Sequence, residues 1–176
     1  MDASTTTKGA DLTNLILKSG TIEIGGAGAD KLLATGGLDT LTGDAGADTF
    51  FVSVASTDVN VYATITDATK GDIITLINKG TEVWSSTKIT LGATATLQDY
   101  ANALVNTGVN ALVNGYVDWF RFPGDTYIVE SLQNATSTLN FSNGTDVIVK
   151  LTGLIDLSTA KNDFAAAPAN SSLTLA

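Results

Sequence analysis

Written in nines, residues 25–51 read GGAGADKLL, ATGGLDTLT and GDAGADTFF. Position four is glycine in every unit: Gly28, Gly37 and Gly46. Position six is aspartate: Asp30, Asp39 and Asp48. Position eight is apolar: Leu32, Leu41 and Phe50. Three coincidences in strict register mark a repeat, and a nine-residue period implies stacked coils. Each unit supplies a short strand, such as Lys31-Leu32-Leu33, whose middle residue points inward. The other six residues turn the chain through half a circle. Glycine permits positive φ in that turn and lets neighbouring turns stack closely.

Such a turn aims backbone carbonyls into the gap between stacked turns, and the position-six aspartate adds a carboxylate there. An oxygen cage of this kind suits Ca²⁺, which takes about 6–8 oxygen ligands at roughly 2.3–2.6 Å. The candidate metal-site residues are Gly25, Gly26, Gly28, Asp30, Gly37, Asp39, Gly43, Asp44, Gly46 and Asp48. Two units complete one coil, so Asp30 and Asp48 fall on the same side and are expected to share an ion. Asp39 lies opposite, where the adjoining units offer only Thr21 or Thr57 at position six. Unit two also begins Ala34-Thr35 rather than Gly-Gly. One well-formed site is expected, and Asp44 either adds a carboxylate to it or faces solvent.

Outward from the repeat, the pattern predicts a mainly β chain. Residues 1–10 are polar and read as a loose lead-in; Leu12 to Ile24 read as short β segments broken by Gly20. Alternating runs predict strands at 51–54, 59–65, 73–77 and 88–91. Thr96 with Asp99 three residues on predicts a helix start. Leu97, Tyr100, Ala101, Leu104 and Val105 carry it over 97–107, with Val109 to Val113 extending it past Gly108 if it continues. Strands follow from Tyr116 to Phe122, from Thr126 to Glu130 and from Asp146 to Leu151, the last after the turn dipeptide Asn143-Gly144. The tail from Thr159 reads as mobile. The expected organisation is a lead-in (1–10), a β-roll and following strands (11–77), a C-terminal β region (78–158) and a tail (159–176). In fold class this is a short parallel β-roll, or solenoid, continuing into a β-sandwich-like region with one amphipathic helix.

Composition narrows the chemistry. The 176 residues contain no histidine and no cysteine. Triads using His, Cys–His pairs, zinc fingers, haem ligation and disulfides are thereby excluded. The net charge is −9, which disfavours nucleic acid and anionic membrane surfaces and favours cations. No apolar run is long enough to span a bilayer. The first twelve residues lack the apolar core of a secretory signal.

Residues 25–51 resemble the repeats-in-toxin (RTX, hemolysin-type calcium-binding) family. The segment from Ile65-Thr66-Asp67 through Gly71-Asp72-Ile73-Ile74-Thr75-Leu76 resembles the strand-turn-strand that often follows such repeats. Residues 116–157 resemble the C-terminal region of RTX-type surface-layer proteins and adhesins. The resemblance implies Ca²⁺ as cofactor, an extracellular or bacterial cell-surface location, and export by type I secretion with a signal near the C-terminus. It also implies folding triggered by Ca²⁺ outside the cell. Self-assembly and cell-surface glycans are the further partners it suggests.

Other readings are weaker. Asp118, Asp125 and Glu130 near Trp119 and Tyr127 could be read as a sugar site with acids, but an edge strand with aromatic packing is the favoured reading. Ser85-Ser86-Thr87-Lys88 has Ser-x-x-Lys spacing in a turn-like context. The sequons at Asn134, Asn140, Asn143 and Asn170 arise readily in a chain rich in Asn, Ser and Thr. A non-enzymatic module is expected. It would be either a calcium-dependent assembly unit of a surface layer or the terminal export and adhesion domain of a larger RTX adhesin or secreted hydrolase.

Overall fold

The computed structural model describes residues 1–5, 8–13, 20–53, 58–77, 82–106, 116–132, 140–164 and 171–176. Expected features at 14–19, 54–57, 107–115, 133–139 and 165–170 lie outside these, including Leu15 to Leu17, Thr57, the helix extension past Gly108, the sequons at Asn134 and Asn170 and the middle of the tail.

The repeat folds as two facing ladders. On one side β1 (Ile22–Ala27), β3 (Thr40–Ala45) and β5 (Ala63–Ile65) run parallel. On the other, β2 (Lys31–Leu33), β4 (Thr49–Phe51) and β6 (Ile73–Leu76) do the same. Ile22 pairs with Thr40 and Lys31 with Thr49, a step of eighteen residues, or two units per coil. The next step is longer: Thr40 pairs with Thr64 and Thr49 with Ile73, twenty-four residues apart. Six extra residues between β4 and β5 account for the difference, and the nine-residue spacing then resumes.

Position eight forms the core. Leu32, Phe50 and Ile74 stack in one ladder, with Glu23, Leu41 and Ile65 in the facing one, all fully buried. A strand alternates its side chains between faces, so one inward residue per three-residue strand suffices. Glu23 holds the inward position at the first coil. Its Oε2 accepts the Leu33 N–H at 3.0 Å, while its buried Oε1 meets no donor among the described residues. Burial raises its pKa.

The remaining elements extend both ladders into a sandwich. They are β7 (Val83–Trp84), α1 (Leu97–Asn106), β8 (Tyr116–Phe122), β9 (Asp125–Ser131), β10 (Val147–Leu151), β11 (Lys161–Asp163) and β12 (Ser171–Thr174). The first sheet runs β1-β3-β5-β10-β9-β8-β7 and the second β11-β12-β6-β4-β2. Leu151 continues the ladder of Ile65, and Leu173 continues that of Ile74. The helix starts as its sequence predicts. The Asp99 N–H donates to Thr96 Oγ1 at 3.2 Å and the Thr96 N–H to Asp99 Oδ2 at 2.8 Å. It packs Tyr100 flat on Phe120, which also stacks with Tyr127.

Several expectations are corrected. The described part of the lead-in is not loose: Asp2 bridges to Ile24, the Ala3 N–H donates to Ile24 O at 2.8 Å, and Ala10 O accepts the Lys31 N–H at 2.8 Å. The described part of the tail is not mobile, because β12 pairs antiparallel with β6 and buries Leu173. Val59 sits in a turn, so β5 starts only at Ala63. Residues 88–91 give a single bridge, Ile89 to Phe120, rather than a strand.

Candidate calcium site

Three turns stack along one rim of the roll: 25–30, 43–48 and 67–72. Each ends in a buried aspartate, Asp30, Asp48 and Asp72. The ladder of Asp, x, apolar is Asp30-Lys-Leu, Asp48-Thr-Phe and Asp72-Ile-Ile. The Asp30 N–H donates to Asp48 Oδ1 at 2.8 Å, and the Asp48 N–H donates to Asp72 Oδ1 at 2.9 Å. The Ala10 N–H donates to Asp30 Oδ1. Each carboxylate thus reaches back to the coil before it and fixes the stacking of the turns.

Asp30 and Asp48 are brought together, and Asp72 joins them. Position-by-position reading missed Asp72 because the six-residue insertion breaks the period. Its signal was the recurrence of Asp-x-apolar at Asp72-Ile73-Ile74. Asp39 lies on the opposite rim, flanked in register by Thr21 and Ala63. There it accepts the Thr21 N–H at 2.8 Å through Oδ1 and the Thr35 N–H at 2.8 Å through Oδ2. Gly37, at φ 99°, belongs to that opposite turn.

The glycines of the first rim have defined jobs. Gly26 and Gly28 hold φ of 125° and 129°, where a side chain is strained. A Cβ on Gly25 would overlap Asp30 Oδ2, and one on Gly43 would overlap Asp48 Oδ2. A Cβ on Gly46 would overlap the Gly28 carbonyl oxygen, so the two turns approach backbone to backbone. Asp44 takes the place of Gly26 one coil on, at φ 64°, and is exposed. Its N–H and that of Gly43 are taken by Asp67, at 2.7 and 3.0 Å. The role of Asp67 at the first position of its turn was not legible, because no glycine marks that turn's start.

Electrostatically the rim is strained. Burial pushes the Asp48 carboxyl up to about 6, and the charges of Asp72, Asp30 and Asp67 add to the rise against the opposing hydrogen bond from Asp30. Asp30 Oδ2 is buried and meets no donor among the described residues. A buried carboxylate oxygen without a donor is costly unless something positive satisfies it. Among the described residues no three acidic side chains converge on one point. A cation between the turns would therefore draw on carboxylates and backbone carbonyls together, an all-oxygen set that fits Ca²⁺.

The acids suggested as a sugar site do not form an open one. Asp118, Glu130, Trp119 and Tyr127 are buried, and burial raises the Asp118 carboxyl to about 7. Asp125 pairs with Lys150 at 3.5 Å and accepts the Gly153 N–H.

Stacked glycine-aspartate turns joining two parallel ladders define a calcium-binding β-roll. Residues 24–53 match the family described as RTX calcium-binding nonapeptide repeat (4 copies), and over this segment the chain is of RTX type. RTX nonapeptide repeats bind Ca²⁺, and the chain is a calcium-binding module. Proteins with these repeats are generally secreted, and the repeat family is typically non-catalytic. No curated protein matches the chain. Among the described residues, no helix is long and apolar enough to cross a membrane.

Proposed function

We propose that this chain is a non-enzymatic extracellular module that folds when it meets Ca²⁺ and then supports a cell-surface assembly. The observation that carries the reading is Asp30 Oδ2, buried beside Gly25 and meeting no donor among the described residues. Gly25, Gly26, Gly28 and Asp30 of one turn, with Gly43, Gly46 and Asp48 of the next, would supply the oxygens and the room. Ca²⁺ would neutralise carboxylates that repel one another when the coils stack.

Mutual repulsion disfavours the roll where Ca²⁺ is scarce and leaves the chain unfolded enough for type I secretion. Outside, Ca²⁺ binds the folded state and hardly the unfolded one, so binding is folding free energy. At free Ca²⁺ of 100 times Kd, one site adds about 2.7 kcal/mol. Far-UV circular dichroism of the metal-stripped chain, titrated with Ca²⁺ to millimolar, should show β structure rising to saturation. A spectrum indifferent to Ca²⁺ refutes the folding trigger. Light scattering in millimolar Ca²⁺ tests assembly: multimers support a surface layer, and a strict monomer favours the terminal domain of an adhesin or secreted hydrolase.

A further inference from the structure

The four position-six aspartates divide into two kinds. All four use Oδ1 alike, accepting an amide of the preceding coil: Ala10 for Asp30, Asp30 for Asp48, Asp48 for Asp72 and Thr21 for Asp39. They differ at Oδ2. Asp39 Oδ2 accepts the Thr35 N–H at 2.8 Å and the Thr35 hydroxyl at 3.3 Å. Asp72 Oδ2 accepts the Thr69 N–H at 2.7 Å and the Thr69 hydroxyl at 3.3 Å. Among the described residues neither Asp30 Oδ2, which is buried, nor Asp48 Oδ2 accepts a hydrogen bond.

Two further features follow the same division. Position one is glycine in the turns of Asp30 and Asp48, where Oδ2 sits in the space of the missing Cβ. It is Ala34 and Asp67 in the turns of Asp39 and Asp72, where Oδ2 lies against threonine instead. Position two has positive φ at Gly26 and Asp44, whereas Thr35 and Ala68 do not. Backbone conformation, side-chain volume and hydrogen bonding therefore agree on which turns are closed.

We propose that turns 25–30 and 43–48 accept Ca²⁺ while turns 34–39 and 67–72 are closed by their own donors, with Thr35 and Thr69 filling at Asp39 and Asp72 the place the metal takes at Asp30 and Asp48. The inference rests on the calcium reading above. Capture of an ion at Asp72 would strip two donors from a buried carboxylate and leave them unpaired. Asp67 closes the same end further by holding the Gly43 and Asp44 amides. The calcium-accepting array thus stops at the insertion, and the third coil is a protein-satisfied end piece.

The test compares Asp30→Asn, Asp48→Asn, Asp39→Asn and Asp72→Asn in the full chain. Calcium affinity is read by titration calorimetry and metal-free stability by melting in chelator. Asp30→Asn and Asp48→Asn should weaken Ca²⁺ binding at least tenfold while leaving the metal-free Tm equal or higher. Asp39→Asn and Asp72→Asn should keep affinity within threefold and lower the metal-free Tm. Losses of affinity at Asp39 or Asp72 equal to those at Asp48 overturn the proposal. Amide exchange on the unsubstituted protein gives a second reading that no folding defect can spoil. In the Ca²⁺-loaded protein the Thr35 and Thr69 amides should be protected, because Asp39 and Asp72 still accept them, and free exchange at these amides in saturating Ca²⁺ overturns the proposal too. An unsubstituted chain that takes up no Ca²⁺ removes the calcium reading itself, and the proposal with it.

Discussion

The amide of Asp30 donates to Oδ1 of Asp48 at 2.8 Å, across the gap between successive coils. That bond sets both the stacking distance and the repulsion. It holds the second carboxylate of the rim directly beneath the first.

Close stacking makes the glycines of the rim intolerant of a methyl group. Gly46→Ala places a Cβ on the Gly28 carbonyl oxygen, a backbone atom that cannot swing aside. The coils must part, at a cost of about 1–3 kcal/mol or more. Gly43→Ala drives Asp48 Oδ2 from its place and should weaken Ca²⁺ binding at least tenfold. Melting in chelator and in Ca²⁺ separates the effects. Gly46→Ala should lower both Tm values, whereas Gly43→Ala should chiefly lose the calcium-dependent increment.

The pH dependence follows from Asp48. Its folded pKa of about 6 lies above the ordinary 3.8, so between these values the folded state binds more protons than the unfolded. The stability contribution is present at low pH and is lost as pH rises through 6. Calcium-free protein should therefore melt higher at pH 5 than at pH 7. Asp118 and Glu23, also raised by burial, act in the same direction. In saturating Ca²⁺ the Asp48 share should invert, because protonation displaces the ion. Asp48→Asn should remove that calcium-sensitive share and leave the rest.

Glu23 offers a separate test inside the roll. It occupies the inward place that Leu41 and Ile65 hold in later coils. Glu23→Gln keeps an acceptor for the Leu33 amide and removes a buried charge. It should raise stability at pH 7 by about 1 kcal/mol. The gain should shrink as pH falls and the wild-type carboxyl protonates. A loss of stability at pH 7 would show that the charge is wanted there.

Truncation tests the closing strand. Removing residues 171–176 uncovers the β6 edge and takes away the buried Leu173 and Leu175. Chemical denaturation should show a loss of several kcal/mol, since two buried leucines go at about 2–5 kcal/mol each when cut back. Unchanged stability would mean that β12 is dispensable to the core.

The repeat made the roll legible because glycine, aspartate and an apolar residue each answer one geometric need at a fixed spacing. The helix start was legible for the same reason: Thr96 and Asp99 carry a local hydrogen-bond pattern. Local pattern could not show that Asp2 and Asp11 bridge to the roll, or that 171–174 join a sheet. Their pairing is long-range, and their polar composition resembles loops. Nor could it reveal Asp72 as the next rung, because the insertion hides the register until strand pairing restores it. Asp67 and Thr69 were invisible for a different cause. Their role lies in which amides they meet, and spacing does not encode that.

The central claim is that Ca²⁺ satisfies the rim between Asp30 and Asp48, and scanning calorimetry of metal-stripped protein tests it most directly. With added millimolar Ca²⁺ the melting temperature should rise by several degrees and fall back on adding chelator. An identical melting temperature with and without Ca²⁺ would contradict the account.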